Sequence, residues 1–255
     1  MLIFPPEVQN TMEIAIYSLK SARNAINGGA TRLEICASPS EGGLTPAPGL
    51  VHIIKSQYSK IPLYCMIRAK PGSFVYTREE MDVMIYDLKI LSESGADGFV
   101  FGALTENFEI QKEFCREIVS AAAPRGVTFH RAFDQVDNPL TALEDIINLG
   151  FERLLTSAQK NTAIEGVKLL KTLVEKAGDR IIIMPGGGVT RENISEIMEI
   201  SGAHEFHSSA KQRIKVEGVL NKIELSEDEQ FITEVNEDFV KQMIEIMNFF
   251  SKPQK

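Results

Sequence analysis

The chain has 255 residues, 44% of them hydrophobic and 24% charged, a balance that suits a globular protein with a large core and fits one α/β barrel as well as two smaller domains. Its net charge of −8 and sequence pI near 5.2 remove the non-specific attraction to phosphate backbones on which nucleic-acid binders rely, so no nucleic-acid partner is expected. No stretch reaches the roughly 18 apolar residues of a membrane span, and MLIFPPEVQN has no basic run ahead of Pro5-Pro6, so a cytoplasmic protein without membrane association is expected.

In chain order, Met12–Tyr17 reads as a strand and Lys20–Asn27 as a helix stopped by Gly28-Gly29. Strand Arg32–Ala37 and helix Gly49–Ser56 follow, then strand Ile61–Ala69 and helix Arg78–Ser94 before Gly95. Strand Gly98–Ala103 leads to helix Ile110–Ala123 before Pro124, and strand Val127–Phe133 to helix Pro139–Asn148 before Gly150. Strand Arg153–Ser157, helix Ala163–Ala177, strand Arg180–Met184, helix Arg191–Ile200 and strand Glu205–Ser209 complete the alternation. Most of the helices end in glycine, which stops a helix without steric strain.

Strands alternating with helices imply right-handed βα units, and eight such strands are the number at which a parallel sheet closes. The predicted fold class is α/β, a single (β/α)8 TIM-type barrel over residues 1–255 with its core at 12–210. A doubly wound open sheet is the competitor. It fits less well because a glycine after a helix, then a strand ending in polar residues, recurs in SGADGFVFG, LGFERLLTS and SGAHEFHSS. Residues 211–255 differ in composition: Lys211–Asn236, with the acidic run Glu224–Glu229, reads as an excursion over the barrel or a subunit contact, and Asp238–Phe250 as the closing outer helix.

The functional face of such a barrel lies at the C-terminal ends of its strands. Alternation places Glu34 with Cys36, Arg68 with Lys70, His130 with Asp134, and Glu205 with His207 on common faces there. Taken singly, His130 is as well read as a structural residue. Buried carboxylates and arginines, however, need partners, so Glu34, Arg68 and Glu205 in one barrel imply an internal ion-pair layer or a ligand site, and the site is the stronger reading. Gly186, Gly187 and Gly188 after the seventh strand, with Ser209 after the eighth, suit an anion cradle, although three glycines also suit a tight turn.

The three cysteines, Cys36, Cys65 and Cys115, are too few and too scattered for a disulfide framework or a four-ligand zinc site. Cys36 is the metal candidate, its thiolate suited to Cu(I), yet free cysteine also behaves as a small buried hydrophobe, and by sequence physics alone that is the better reading. Cys65 has the opposite parity to Arg68 and is expected to face the helices, and Cys115 to lie in the core.

At EICASPSEGGLTP, MIRAKPGSFVYT, GFVFGALTE, VTFHRAFD, ERLLTSA, IIIMPGGGVT and EFHSSA the chain strongly resembles the CutC family of copper homeostasis proteins. The resemblance spans Met12 to Ala210 and implies a (β/α)8 barrel, a cytoplasmic homo-oligomer (dimer or tetramer), and Cu(I) as cofactor, bound through cysteine thiols with Cys36 in the matching position. Some members carry a second thiol where this chain has Ala15.

Two functions follow. The first is a copper-handling protein in which Cys36 binds Cu(I), completed by Met66 or His207. The second is an enzyme acting on a small phosphorylated or carboxylated metabolite, with Glu34, Arg68, His130, Asp134 and Glu205 as candidate catalytic residues and Gly186, Gly187, Gly188 and Ser209 holding the anion. The family resemblance puts copper first. Whether the protein is an enzyme stays open at this point, with the partner either a copper ion or a small anionic metabolite.

Overall fold

The computed structural model describes residues 10–215 and 230–250. Eight short strands run parallel: β1 (Thr11–Ile16), β2 (Arg32–Ile35), β3 (Leu63–Met66), β4 (Gly98–Phe101), β5 (Gly126–Phe129), β6 (Arg153–Thr156), β7 (Ile182–Pro185) and β8 (Glu205–Ser208). Hydrogen-bonded ladders connect them in the order β7-β6-β5-β4-β3-β2-β1-β8, and β7 and β8 lie side by side to complete a nearly closed ring. Around it stand α1 (Leu19–Asn27), α2 (Pro48–Gln57), α3 (Arg78–Glu93), α4 (Lys112–Ala122), α5 (Pro139–Leu149), α6 (Val167–Ala177) and α7 (Ile194–Ser201), with α8 (Glu237–Phe250) packed against α1 and α7. This is the (β/α)8 barrel. Among the described residues no helix is long and apolar enough to cross a membrane.

Alternation along each strand divides the interior into two environments. The outward-facing set, including Ile14, Ile16, Leu33, Ile35, Cys65, Phe99, Phe101, Phe129, Leu154 and Phe206, forms the large apolar core beneath the helices, which Cys115 of α4 joins. The inward-facing set is polar to a degree unusual for a barrel lumen. Glu13 on β1 stands beside Arg32 on β2 and His207 on β8, and Ala15 beside Glu34, which neighbours Tyr64. Gly98 continues that row because the Tyr64 ring fills its place: a Cβ on Gly98 would lie 2.4 Å from Tyr64 Cε1.

The strands stop earlier than alternation suggests. β5 ends at Phe129, and Arg131–Gln135 turns into a short 3-10 helix capped by His130, whose Nδ1 accepts from Ala132 N at 3.2 Å. β3 ends at Met66, so Lys70 shares no face with Arg68; its Nζ pairs with Glu80 at 2.8 Å. At α3, Thr77 and Glu80 form a reciprocal capping box, fixing the helix start where the sequence places it.

The described parts of the predicted Lys211–Asn236 excursion form an antiparallel ribbon, β9 (Lys211–Lys215) with β10 (Phe231–Val235). It packs on its own barrel: Asn24 Nδ2 on α1 donates to Val235 O at 2.8 Å, Val235 N donates to Ser21 Oγ at 3.2 Å, and Lys20 pairs with Glu234 at 2.7 Å. The acidic run Glu224–Glu229 lies outside the described residues.

Candidate functional site

At the C-terminal end of the barrel a cavity of about 590 Å³ opens, lined by Glu34, Cys36, Met66, Arg68, His130, Leu155, His207 and Ser209, with Gly187 and Gly188 at its rim. Beneath it the lumen is filled by an ion-pair layer. Arg32 donates from Nε to Glu13 Oε2 at 2.5 Å and from Nη2 to Glu205 Oε2 at 2.7 Å, and Arg153 Nε reaches the same Glu205 oxygen at 2.6 Å. Both guanidiniums lie over the Tyr64 ring, 5.3 and 5.2 Å from its centroid, and Tyr64 Oη donates to Glu152 at 2.8 Å. Arg153 also pairs with the partly exposed Glu152 at 3.2 Å, so Glu13, Glu205 and Glu152 together offset the two guanidiniums of the lower lumen.

His207 joins the layer to the cavity. Its Nδ1 lies 2.8 Å from Glu13 Oε1 and its Nε2 3.7 Å from Glu34 Oε2. Burial alone would raise the Glu13 acid, but Arg32 and His207 more than offset it and hold the carboxyl at about 2. Glu34 has no such guanidinium partner. Burial raises its carboxyl, His207 opposes only in part, and its Oε1 is buried without a hydrogen bond among the described residues. Burial works against a charged His207, yet the two carboxylates around it raise its pKa overall. The Cys36 thiol beside Glu34 is pushed well up by burial and by that carboxylate.

His130 is the opposite case. Burial and the nearby Arg68 cation lower its pKa to about 3, so the imidazole is neutral in ordinary buffer. Because Nδ1 accepts the Ala132 N–H, the ring proton sits on Nε2, which is buried and without a partner among the described residues.

The structure therefore brings together Glu34, Cys36, Arg68, His130, Gly187, Gly188 and Ser209 from the sequence-derived set. It does not bring Gly186, Asp134 or Glu205 to the cavity wall. A Cβ on Gly186 would lie 2.3 Å from Leu155 Cδ1, so this glycine permits close strand packing. Asp134 sits past the end of β5, where alternation no longer applies. Its carboxylate accepts from Thr156 Oγ1 at 2.5 Å and from the backbone N–H groups of Ser157 and Gln159, and it pairs with Arg131 at 2.7 Å. Glu205 lies at the start of β8, deep in the ion-pair layer. The rim loop closes on itself, for Asn193 Nδ2 donates to Gly188 O and Asn193 Oδ1 accepts from Thr190 N, which delays α7 to Ile194.

Glu13, Arg32 and Arg153 were not singled out from sequence. Carrying the alternation two residues back from Ala15 and from Glu34 would have found the first two.

A family model described as the CutC family matches residues 10–212. The chain belongs to the CutC family. The copper homeostasis protein cutC homolog of Homo sapiens is 49% identical over 200 residues, 78% of this chain and 73% of that protein. The Caenorhabditis elegans protein of the same description is 41% identical over 221 residues, 87% and 88% of the two chains. A crystal structure of a CutC protein from Streptococcus agalactiae has a TM-score of 0.75 at 31% identity, covering 79% of this chain and 99% of that one. The likeness to that CutC structure extends to nearly its whole length, so the barrel described here is the CutC fold.

Proposed function

We propose that the chain serves copper homeostasis, the role named for its human and worm relatives, by taking Cu(I) as cargo in the barrel mouth. The observation that carries this reading is the convergence of the Cys36 thiol, the Met66 thioether and His207 on one cavity, a soft donor set suited to Cu(I). Cys36 and Met66 pack in one cluster, and a single point, the Cβ position of Gly43, lies 3.2 Å from Cys36 Sγ and 3.6 Å from Met66 Cε. With Ala15 on β1, one thiol serves instead of two. The buried thiol must lose its proton to bind, so affinity rises with pH.

Anaerobic titration of reduced protein with Cu(I) against a chromophoric competitor tests this. Cys36→Ser is expected to weaken binding by two orders of magnitude or more; binding indifferent to the substitution refutes the reading. The same reading carries a cytoplasmic location, checked by cell fractionation, and a homo-oligomer, checked by light scattering of the purified protein.

A second reading is supported by the size of the cavity, which far exceeds what one ion needs, and by the acid–base string Glu13, His207, Glu34 at its floor. It is an enzyme acting on a small phosphorylated or carboxylated metabolite, with Glu34 exchanging a proton with substrate and Glu13 orienting His207 behind it. A metabolite screen that finds no ligand protecting the protein from heat counts against it.

A further inference from the structure

Arg68 is only 5% exposed and forms no ion pair among the described residues. Its Nη1 donates to Glu41 O at 2.7 Å and Gly43 O at 3.1 Å, and its Nη2 to Gly72 O at 3.2 Å. Carbonyl oxygens orient a guanidinium but do not neutralise it. Arg32 and Arg153, equally buried in the same barrel, are each matched by carboxylates, so this fold neutralises its other lumen arginines and leaves this one uncompensated. Three of the five N–H groups are taken. The Nε–H, buried and unpartnered, and one Nη2–H remain, a pair able to meet the two oxygens of a carboxylate.

Beside it stands a second unused donor. The Phe74 ring lies 4.9 Å from Arg68 Cζ and 4.8 Å from the His130 ring, so cation and neutral imidazole flank one aromatic plate, and all three line the cavity. A neutral N–H suits an uncharged carbonyl or hydroxyl oxygen. The Tyr76 hydroxyl lies near the Arg68 guanidinium, whose charge and weak hydrogen bonding act against the effect of burial, but it makes no close hydrogen bond and as a neutral phenol cannot supply the missing anion. One uncompensated cation with two free N–H groups on one edge matches the single charge and two oxygens of a carboxylate.

We propose that the mouth binds a small 2-oxo or 2-hydroxy carboxylic acid, its carboxylate on the Arg68 Nε and Nη2 edge and its 2-oxygen on His130 Nε2–H. This rests on the second reading only in taking the cavity to receive a metabolite, and it requires no copper.

The test is NMR of 15N-arginine- and 15N-histidine-labelled protein, kept metal-free with a chelator and titrated separately with pyruvate, lactate, acetate and inorganic phosphate. Pyruvate or lactate is expected to shift the Arg68 Nε–H and His130 Nε2 signals together and to bind at least tenfold more tightly than acetate or phosphate. Arg68→Gln is expected to weaken pyruvate binding at least tenfold, and His130→Phe to abolish the preference for pyruvate over acetate while acetate still binds. Absence of a shift in the wild type at roughly 50 mM pyruvate or lactate overturns the proposal, as does phosphate binding most tightly or pyruvate binding unchanged in Arg68→Gln. If Arg68→Gln does not fold, the wild-type shifts decide. Heat protection by some other metabolite that leaves Arg68 Nε–H unmoved would sink this inference while the enzyme reading stood.

Discussion

Replacing Glu205 with glutamine separates a structural from a catalytic carboxylate. The Glu205 side chain accepts from two buried guanidiniums, at 2.7 Å from Arg32 and 2.6 Å from Arg153; Glu13 also pairs with Arg32, and the partly exposed Glu152 with Arg153 at 3.2 Å. Glutamine keeps the shape but leaves the two buried guanidiniums with only Glu13 and the partly exposed Glu152 to offset them. Removing one member of a buried ion pair costs about 3–5 kcal/mol. In a chain of this size about 1 kcal/mol corresponds to roughly 2–4 °C in Tm, so a fall on the order of 6–20 °C is expected by calorimetry or circular dichroism. Glu205→Gln combined with Arg153→Met removes one charge of each sign and keeps the Glu13–Arg32 pair, so the double variant is expected to regain at least half of the loss. A single variant within about 1 kcal/mol of wild type, or a double variant less stable than the single, refutes the ion-pair account.

His130 makes stability depend on mild acid. Its folded pKa, about 3, lies below its ordinary 6.5, so between these values the unfolded chain binds a proton that the folded chain rejects, and stability falls as pH falls. From pH 7 to 5 this amounts to about 2 kcal/mol, and urea melts of His130→Gln are expected to lose that part of the pH dependence. Asp134→Asn takes the charge from a carboxylate that holds the β6 loop through Thr156, Ser157 and Gln159, and a loss of about 3 kcal/mol in urea is expected; a neutral result would mean that Asp134 does not hold the loop. Gly98→Ala drives a methyl against Tyr64 and should cost about 2 kcal/mol, whereas Gly49→Ala, with nothing within 4 Å, should cost nothing measurable by the same assay.

The barrel was legible because each strand's outward residues must be apolar to seat a helix, and most of the helices stop at a glycine; that pattern survives in any single sequence. The inward residues were legible only where the strand persists. Glu34 and Cys36 lie one residue either side of the end of β2 and both face the cavity, but Lys70 and Asp134 lie well past the ends of β3 and β5, where the backbone turns and parity loses its meaning. The ion-pair layer is half legible: alternation can place Arg32 inward, but that it and Arg153 engage Glu205, 173 and 52 residues away, leaves no local trace. The empty valences of Arg68 and His130 could not be read at all before the carbonyls and Ala132 N–H that occupy their other atoms were in place.

The join between α1 and α8 bears on how the chain is made. Gly28 admits α8 so closely that a Cβ there would lie 2.6 Å from Val240 Cβ, and Asn10 beside β1 donates to Met247 O across 237 positions of chain. While a ribosome is still adding α6 and α7, the groove of α1 has no cover and β1 lacks β8, its second ladder partner. The nascent barrel is therefore an open crescent with an oily notch until β8 and α8 have emerged, and its closure is a long-range event of the kind that makes folding slow.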